Sequence, residues 1–266
     1  MNKRFFVLFL AVILFTMTGC GKTSSAPSSA EDVLKKADHA MSKLESVHTS
    51  ISFDESSVTS NPPKRTSQNV QVQADFQRHP LMVSEEVVWK APLQTARNIK
   101  LFRQGDELAM HERLVKDKKG WQEITEDQRA QLLGVWVPFA SPVMDLSLLE
   151  PFADDAKLEK IDYGYALQFS LSPADYRKLM ELVSVNSEQP EQFIHTHGGF
   201  PVIDKLDIEL KINDQTMFVT GVKMSANITG YFKRDYIRYK QKLDATYSYF
   251  NDIDAIQTPK DAKMFQ

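Results

Sequence analysis

The chain has 266 residues, a formal charge of −3, 42% hydrophobic residues and 25% charged residues, a globular composition with length for one large domain or two small ones. Its basic and acidic residues are interspersed, which leaves no electrostatic footprint for nucleic acid. A single cysteine, Cys20, excludes an internal disulfide.

Lys3 and Arg4 precede an uninterrupted apolar run over residues 5–15, FFVLFLAVILF. A basic start followed by a short apolar run is the layout of a secretory signal. The run is shorter than the roughly 20 residues that a membrane-spanning helix needs. It leads into TMTGCGKT, whose GKT is not a phosphate loop: the glycine such a loop requires is Thr16 here, and linker rather than helix follows.

MTGC instead resembles the bacterial lipobox, with Met17 where Leu is commonest. The resemblance implies that residues 1–19 are a lipoprotein signal peptide and that Cys20 is the lipid-attachment site. It would carry diacylglycerol and, optionally, an N-linked acyl chain, with no other cofactor expected. The alternative is an ordinary signal peptide followed by a stray thiol. Loss of Lys3 and Arg4 with the signal would take the formal charge to −5.

Residues 20–30 are small and polar, the composition of a flexible tether. A helix is predicted over 31–44, where Val33, Leu34, Ala37, Ala40, Met41 and Leu44 share a face and Ser29 is placed to cap. The period then changes to two, and strands are predicted over 47–58, 69–77, 81–90, 95–104 and 107–114. The clearest alternations come later. In VIDKLDIELKI, Val202, Asp204, Leu206, Ile208, Leu210 and Ile212 fall opposite Ile203, Lys205, Asp207, Glu209 and Lys211. In YIRYKQKLDATYSYF, Ile237, Tyr239, Leu243, Ala245, Tyr247 and Tyr249 fall opposite a polar set. Half-buried alternation belongs to antiparallel sheet. With further helical segments at 125–152 and 173–183, the fold class is α+β: a single large curved antiparallel sheet, or half barrel, with helices packed on its concave face.

This order resembles the LolA/LppX-type lipoprotein and lipid carriers across residues 31–266, read as one domain. It resembles more closely the uncharacterised lipoproteins of Gram-positive bacteria with that fold. They share an opening helix like VLKKADHAMSKLESVH and an aromatic strand followed by an Ile-x-x-Pro-x-x-Ala tail, here Ile256, Pro259 and Ala262. The resemblance implies a hollow between sheet and helices that accepts acyl chains. Leu167, Phe169, Ile208, Tyr239 and Tyr247 would line such a hollow, and the same residues would be plain core in a filled sandwich. Over residues 134–152 the run GVWVPFASPVMDLSLLEPF has the composition of a lid or of a covering helix-loop, with Trp136, Phe139, Met144 and Leu148 as its candidate contacts.

No catalytic constellation is assembled. His195 and His197 share a face if extended, but they lack a third ligand and precede Gly198 and Gly199, so an exposed loop rather than a metal site is expected. His111-Glu112 begins a zinc-hydrolase pattern that fails at Val115. The pairs Glu85-Glu86 and Asp154-Asp155 are expected to be solvated, and Trp121 to pack.

The expected function is therefore a membrane-anchored, extracytoplasmic, non-enzymatic carrier or binding protein for a lipid or other amphiphile, attached to the cell membrane through Cys20. The alternative is an envelope protein-interaction or stress-related module with a filled core. No basic amphipathic helix is present to grip anionic lipid, so the folded domain itself is expected to add little to membrane binding.

Overall fold

The structure, a computed structural model, describes residues 29–60, 62–112, 120–133, 143–185, 202–232 and 235–262. Helix α1, Ala30–Met41, is capped by Ser29, whose Oγ accepts from the Asp32 amide at 3.1 Å. Glu31 and Asp32 sit in its first turn and pair with Lys35 and Lys36 one turn on. Its apolar face, Val33, Leu34, Ala37 and Met41, is at most 1% exposed. The helix stops three residues short of the predicted end. The amides of Lys43 and Leu44 bond three residues back, to Ala40 and Met41, which tightens the chain out of α geometry while Leu44 stays buried.

The strands are β1 (Ser46–Ser60), β2 (Pro63–Gln77), β3 (Met82–Lys90), β4 (Arg97–Gln104), β5 (Glu107–Glu112), β6 (Gln122–Glu123), β7 (Lys157–Ile161), β8 (Gly164–Leu171), β9 (Val202–Asn213), β10 (Val219–Phe232) and β11 (Asp235–Ser248). They form one open sheet in the order β6-β5-β4-β3-β2-β1-β11-β10-β9-β8-β7, and every adjacent pair is antiparallel. The chain walks outward from β1 to β6, crosses to the far edge at β7, and walks back until β11 lies against β1. First and last strands thus meet at the centre of the single large antiparallel sheet.

Within the predicted helical region over 125–152, the described residues hold two helical pieces. Helix α2, Glu126–Leu133, begins at a reciprocal cap in which the Gln128 amide donates to Thr125 Oγ1 and the Thr125 amide donates to Gln128 Oε1. The second piece is a 3₁₀ segment, Leu146–Asp155, with Pro151 inside it, where the missing N–H does not sustain an α-helix. Helix α3, Pro173–Val185, starts after Ser172 and buries Tyr176 and Leu179.

Register lines up an apolar row across nine strands of the helix-facing side: Ile99, Val87, Val72, Ile51, Ala245, Val222, Leu210, Leu167 and Leu158. All but Leu158 are buried, and they join the inner faces of α1, α3 and the 3₁₀ segment in one core. Two expectations about facing are corrected. A bulge between Asn227 and Ile228 pairs Ile228 with Ile203 and leaves Asp204 over, so Ile203 is buried and Asp204 exposed. Tyr249 lies beyond β11 with φ of 52° and is exposed, edge-on to His48.

The tail beyond β11 straps the strand ends. The Asn251 amide donates to the Ser46 carbonyl, the Ile256 amide to Gln77, and the Thr258 hydroxyl to Gln104. Its Ala262 is fully buried, and Asp261 accepts from the Trp121 indole at 3.0 Å. Trp121 packs as predicted, edge-on to Phe102 with ring centres 6.4 Å apart.

Candidate functional site

The helix-facing side of the sheet changes character along the strands. Next to the apolar row lies a second apolar one, Trp89, Val70, Phe53, Leu243, Met224, Ile208 and Phe169. One step further along β1 and β11, the row reads Gln68, Glu55 and Gln241 before returning to Ala226, Leu206 and Leu171. Polar side chains on an apolar face must find partners. These do. The Trp89 indole donates to Gln68 Oε1 at 3.2 Å, Gln68 Nε2 donates to Glu55 Oε1 at 3.2 Å, and Gln241 Nε2 donates to Glu55 Oε2 at 2.7 Å.

The belt extends through Arg97, whose guanidinium stands 5.7 Å from the Trp89 ring centre and forks onto Glu112 at 2.6 and 2.9 Å. The fork holds Glu112 below the usual carboxylate range, against the opposing effect of burial. Half-buried Tyr239 follows, one step further along β11; burial and then the Glu55 carboxylate push its phenol up. An end-to-end line of hydrogen-bonding groups therefore crosses β5, β4, β3, β2, β1 and β11, bordered on one side by Phe53, Val70 and Leu243.

A second polar cluster is buried. Glu85 is 3% exposed and faces inward with Val83 and Val87, because Glu86 takes the opposite, solvated side and pairs with Lys100. Arg129 of α2 donates through Nε to Glu85 Oε2 at 3.0 Å and through Nη1 to Glu126 at 2.8 Å, and Glu126 also takes Arg103. Burial works against the Arg129 charge, but the two carboxylates outweigh it and hold the guanidinium ionised. The expectation that Glu85 is solvated is therefore corrected.

The sequence-predicted lining residues separate. Leu167, Phe169 and Ile208 are at most 2% exposed and sit in the core, with Phe169 directly opposite Ile208. Tyr247 is also buried, in the row of Thr49 and Ala74. Burial pushes its phenol well above the usual range. Tyr239 alone of that set borders the belt. Met144 is buried and Leu148 packs on the core. Cys20, Trp136, Phe139, His195 and His197 lie outside the described residues.

Sequence reasoning missed Glu55, Gln68, Trp89, Gln241 and the Arg97–Glu112 fork. The available signal was phase: Gln241 falls in step with Tyr239 and Leu243, and Glu55 in step with Ile51 and Phe53.

Two clefts stand away from this face. One, of about 460 Å³, is open and lies against Lys35, Lys36, His39 and Ala40 of α1 and the β9–β10 turn at Thr216 and Met217. The other, of about 80 Å³, lies over Gly221 and Lys211 on the opposite face. Among the described residues no group of three or more His, Cys, Asp or Glu is placed to hold a metal ion, and no helix is long and apolar enough to cross a membrane.

The profile of a family of unknown function, DUF6612, matches residues 29–265. No curated protein matches the chain. Among solved structures, a LolA superfamily protein of Nitrosomonas europaea aligns over 90% of this chain and 97% of its own at 13% identity, with a TM-score of 0.28. A DUF1329 family protein of Desulfovibrio piger aligns over 91% and 100% at 8% identity, with a TM-score of 0.30. A β-barrel-like DUF1849 protein of Brucella abortus aligns over 76% and 99% at 8% identity, with a TM-score of 0.24. Likenesses this low carry no argument about what the chain does.

Proposed function

This chain belongs to the family DUF6612, and we propose that it is a non-enzymatic binding protein for a lipid or other amphiphile, held outside the cytoplasmic membrane by an acylated Cys20. The observation that carries the ligand reading is the graded inner face. A floor of Phe53, Val70 and Leu243 borders Glu55, Gln68, Gln241 and Trp89, whose hydrogen-bonding groups run in a line across the strands. An amphiphile has the matching division: a polar group with both donors and acceptors exchanges with the amide–carboxylate bonds of the belt, and hydrocarbon reaches the floor by displacing what packs on Phe53, Val70 and Leu243, which are at most 2% exposed. The lipid anchor rests on the MTGC sequence and its position between an apolar run and a polar tether.

Native mass spectrometry of the full chain after gentle extraction tests the ligand. Bound lipid that is lost from the Gln68→Leu, Gln241→Leu variant supports it, provided that the variant keeps its thermal transition. An apo mass from the wild-type protein removes it.

A second reading is favoured by one observation: among the described residues the nine-strand apolar row is packed by the helices. A module that works through a protein partner needs no open interior. It predicts a clean apo mass together with a specific cross-linked partner.

A further inference from the structure

The outer face of the sheet, opposite the helices, is polar along most of its length and becomes basic toward the end where the β1–β2 and β10–β11 connections lie. Register aligns Arg65, Val58 and Arg238 across β2, β1 and β11. Lys240 follows two residues along β11 on the same side, at roughly 7 Å for a strand. Arg65, Arg238 and Lys240 are exposed, and none has an ion-pair partner among the described residues. The nearby acids are engaged by polar neighbours: Asp54 accepts from Asn69 at 2.9 Å, Asp204 from Thr229 at 3.4 Å, and Asp207 pairs with Lys205 at 2.9 Å.

Apolar groups accompany the charges. Val58 is 37% exposed between the two arginines, and Tyr236 is 36% exposed with the Arg238 guanidinium 4.8 Å over its ring. At the same end of the sheet, the β3–β4 connection presents Leu93 fully to solvent with φ of 62°, in a turn closed by the Gln94 amide on the Ala91 carbonyl. Exposed Lys90 stands at its base. Leu93 thus holds a backbone conformation uncommon for a non-glycine residue while its side chain stands in solvent.

We propose that this end of the sheet rests on an anionic lipid surface, with Arg65, Arg238 and Lys240 among the headgroups and Leu93 entering the boundary with the acyl chains. Cations without an ion-pair partner among the described residues, at the same end of the sheet as an exposed aliphatic tip and a tyrosine, are the composition of a peripheral membrane contact. A soluble polyanion would use the cations and leave Leu93 and Val58 without purpose. The inference stands independently of the ligand and replaces the expectation that the folded domain adds little to membrane binding. Arg65 is far in sequence from Arg238 and Lys240, and the β2–β1–β11 pairing brings it to them.

The test is hydrogen–deuterium exchange of the full chain reconstituted in phosphatidylcholine vesicles with and without phosphatidylglycerol. Exchange over 58–66, 90–97 and 236–242 is expected to slow on the order of tenfold when phosphatidylglycerol is present and to recover at high salt, while 157–171 is unchanged. The Arg65→Glu, Arg238→Glu, Lys240→Glu variant and the Leu93→Ser variant change only exposed side chains. The first should abolish the protection, and the second should shorten it. Equal exchange in both vesicle types overturns the proposal. So does protection reproduced by inorganic polyphosphate without vesicles, since that assigns the patch to a soluble anion.

Discussion

Glu85 on β3 and Arg129 on α2 form an ion pair inside the protein, at side-chain exposures of 3% and 7%, and this pair ties α2 to the sheet. The sequence EDQRAQLL is polar on most sides, and among its described side chains Leu132 is the apolar one that packs on the core beside this pair. Removing one partner leaves the other charged and desolvated. Arg129→Ala should therefore cost about 3–5 kcal/mol, read as a fall in the urea midpoint. Glu85→Leu with Arg129→Met together should recover most of it. A double variant as unstable as the single one would show that the pair is not the point of attachment.

This pair also marks where the sequence was and was not legible. The alternation of β9 and β11 and the amphipathic period of α1 named the buried faces because each is written in consecutive residues. Glu85 was misread as solvated: neighbouring acids identify opposite strand faces, but nothing local says which face a helix 44 residues away will cover. The belt was hidden for the same reason. Glu55, Gln68 and Gln241 are partners only through register among β2, β1 and β11, and a bulge such as the one beside Asp204 shifts facing without any sequence mark.

The Arg97–Glu112 fork gives the belt a pH signature. Glu112 is held below its ordinary value of 4.5 in the folded state by Arg97, so it binds fewer protons folded than unfolded there. The contribution is complete above the unfolded carboxylate's range and is lost as pH falls through the lowered folded value. Because Arg97 is 39% exposed, solvent screens the pair and the effect should stay below about 1 kcal/mol. Urea midpoints compared at neutral and acidic pH should differ less in Arg97→Gln than in wild type; an unchanged difference argues against the fork.

Ile208 and Tyr239 separate core from belt. Ile208 sits between Phe169 and Met224 at 2% exposure, so Ile208→Asp buries an unpaired charge and should abolish the cooperative transition. Tyr239 is half-buried, and Tyr239→Asp should keep the fold while weakening any lipid bound at the belt. Circular dichroism in urea reads the first effect and native mass spectrometry the second. Loss of folding in both variants would place Tyr239 in a filled core.

Gly164 opens β8 at a point of close approach. A Cβ there would lie 1.8 Å from the Ile212 carbonyl oxygen, a backbone atom that cannot swing aside without breaking the β8–β9 ladder. Gly164→Ala should destabilise by about 2 kcal/mol or more. Faster amide exchange should be confined at first to residues 164–171 and their β9 partners. Gly105→Ala is the useful contrast: φ is 59°, yet no atom lies within 4 Å of the added Cβ, so only conformational strain of about 1 kcal/mol is expected.

The proposed acylation of Cys20 can be tested apart from the surface contact. If MTGC directs acylation, the thiol carries diacylglycerol, and each buried methylene adds about 0.8 kcal/mol, so two chains hold the protein stably where one would not. Cys20→Ser should then take up no radiolabelled palmitate, and uncleaved chain should stay bound through the apolar run over 5–15. The basic end of the sheet makes a separate demand. A chain beginning at Lys22 lacks both anchors, and the expectation from sequence is that it stays in the aqueous phase of a detergent partition. With Arg65, Arg238 and Lys240 exposed, it should nevertheless associate with phosphatidylglycerol vesicles at low salt and leave them at high salt. Palmitate uptake by wild type and salt-reversible vesicle binding by the shortened chain read the two attachments independently. Absence of label on wild type would remove the covalent anchor while leaving the surface contact to be judged on its own.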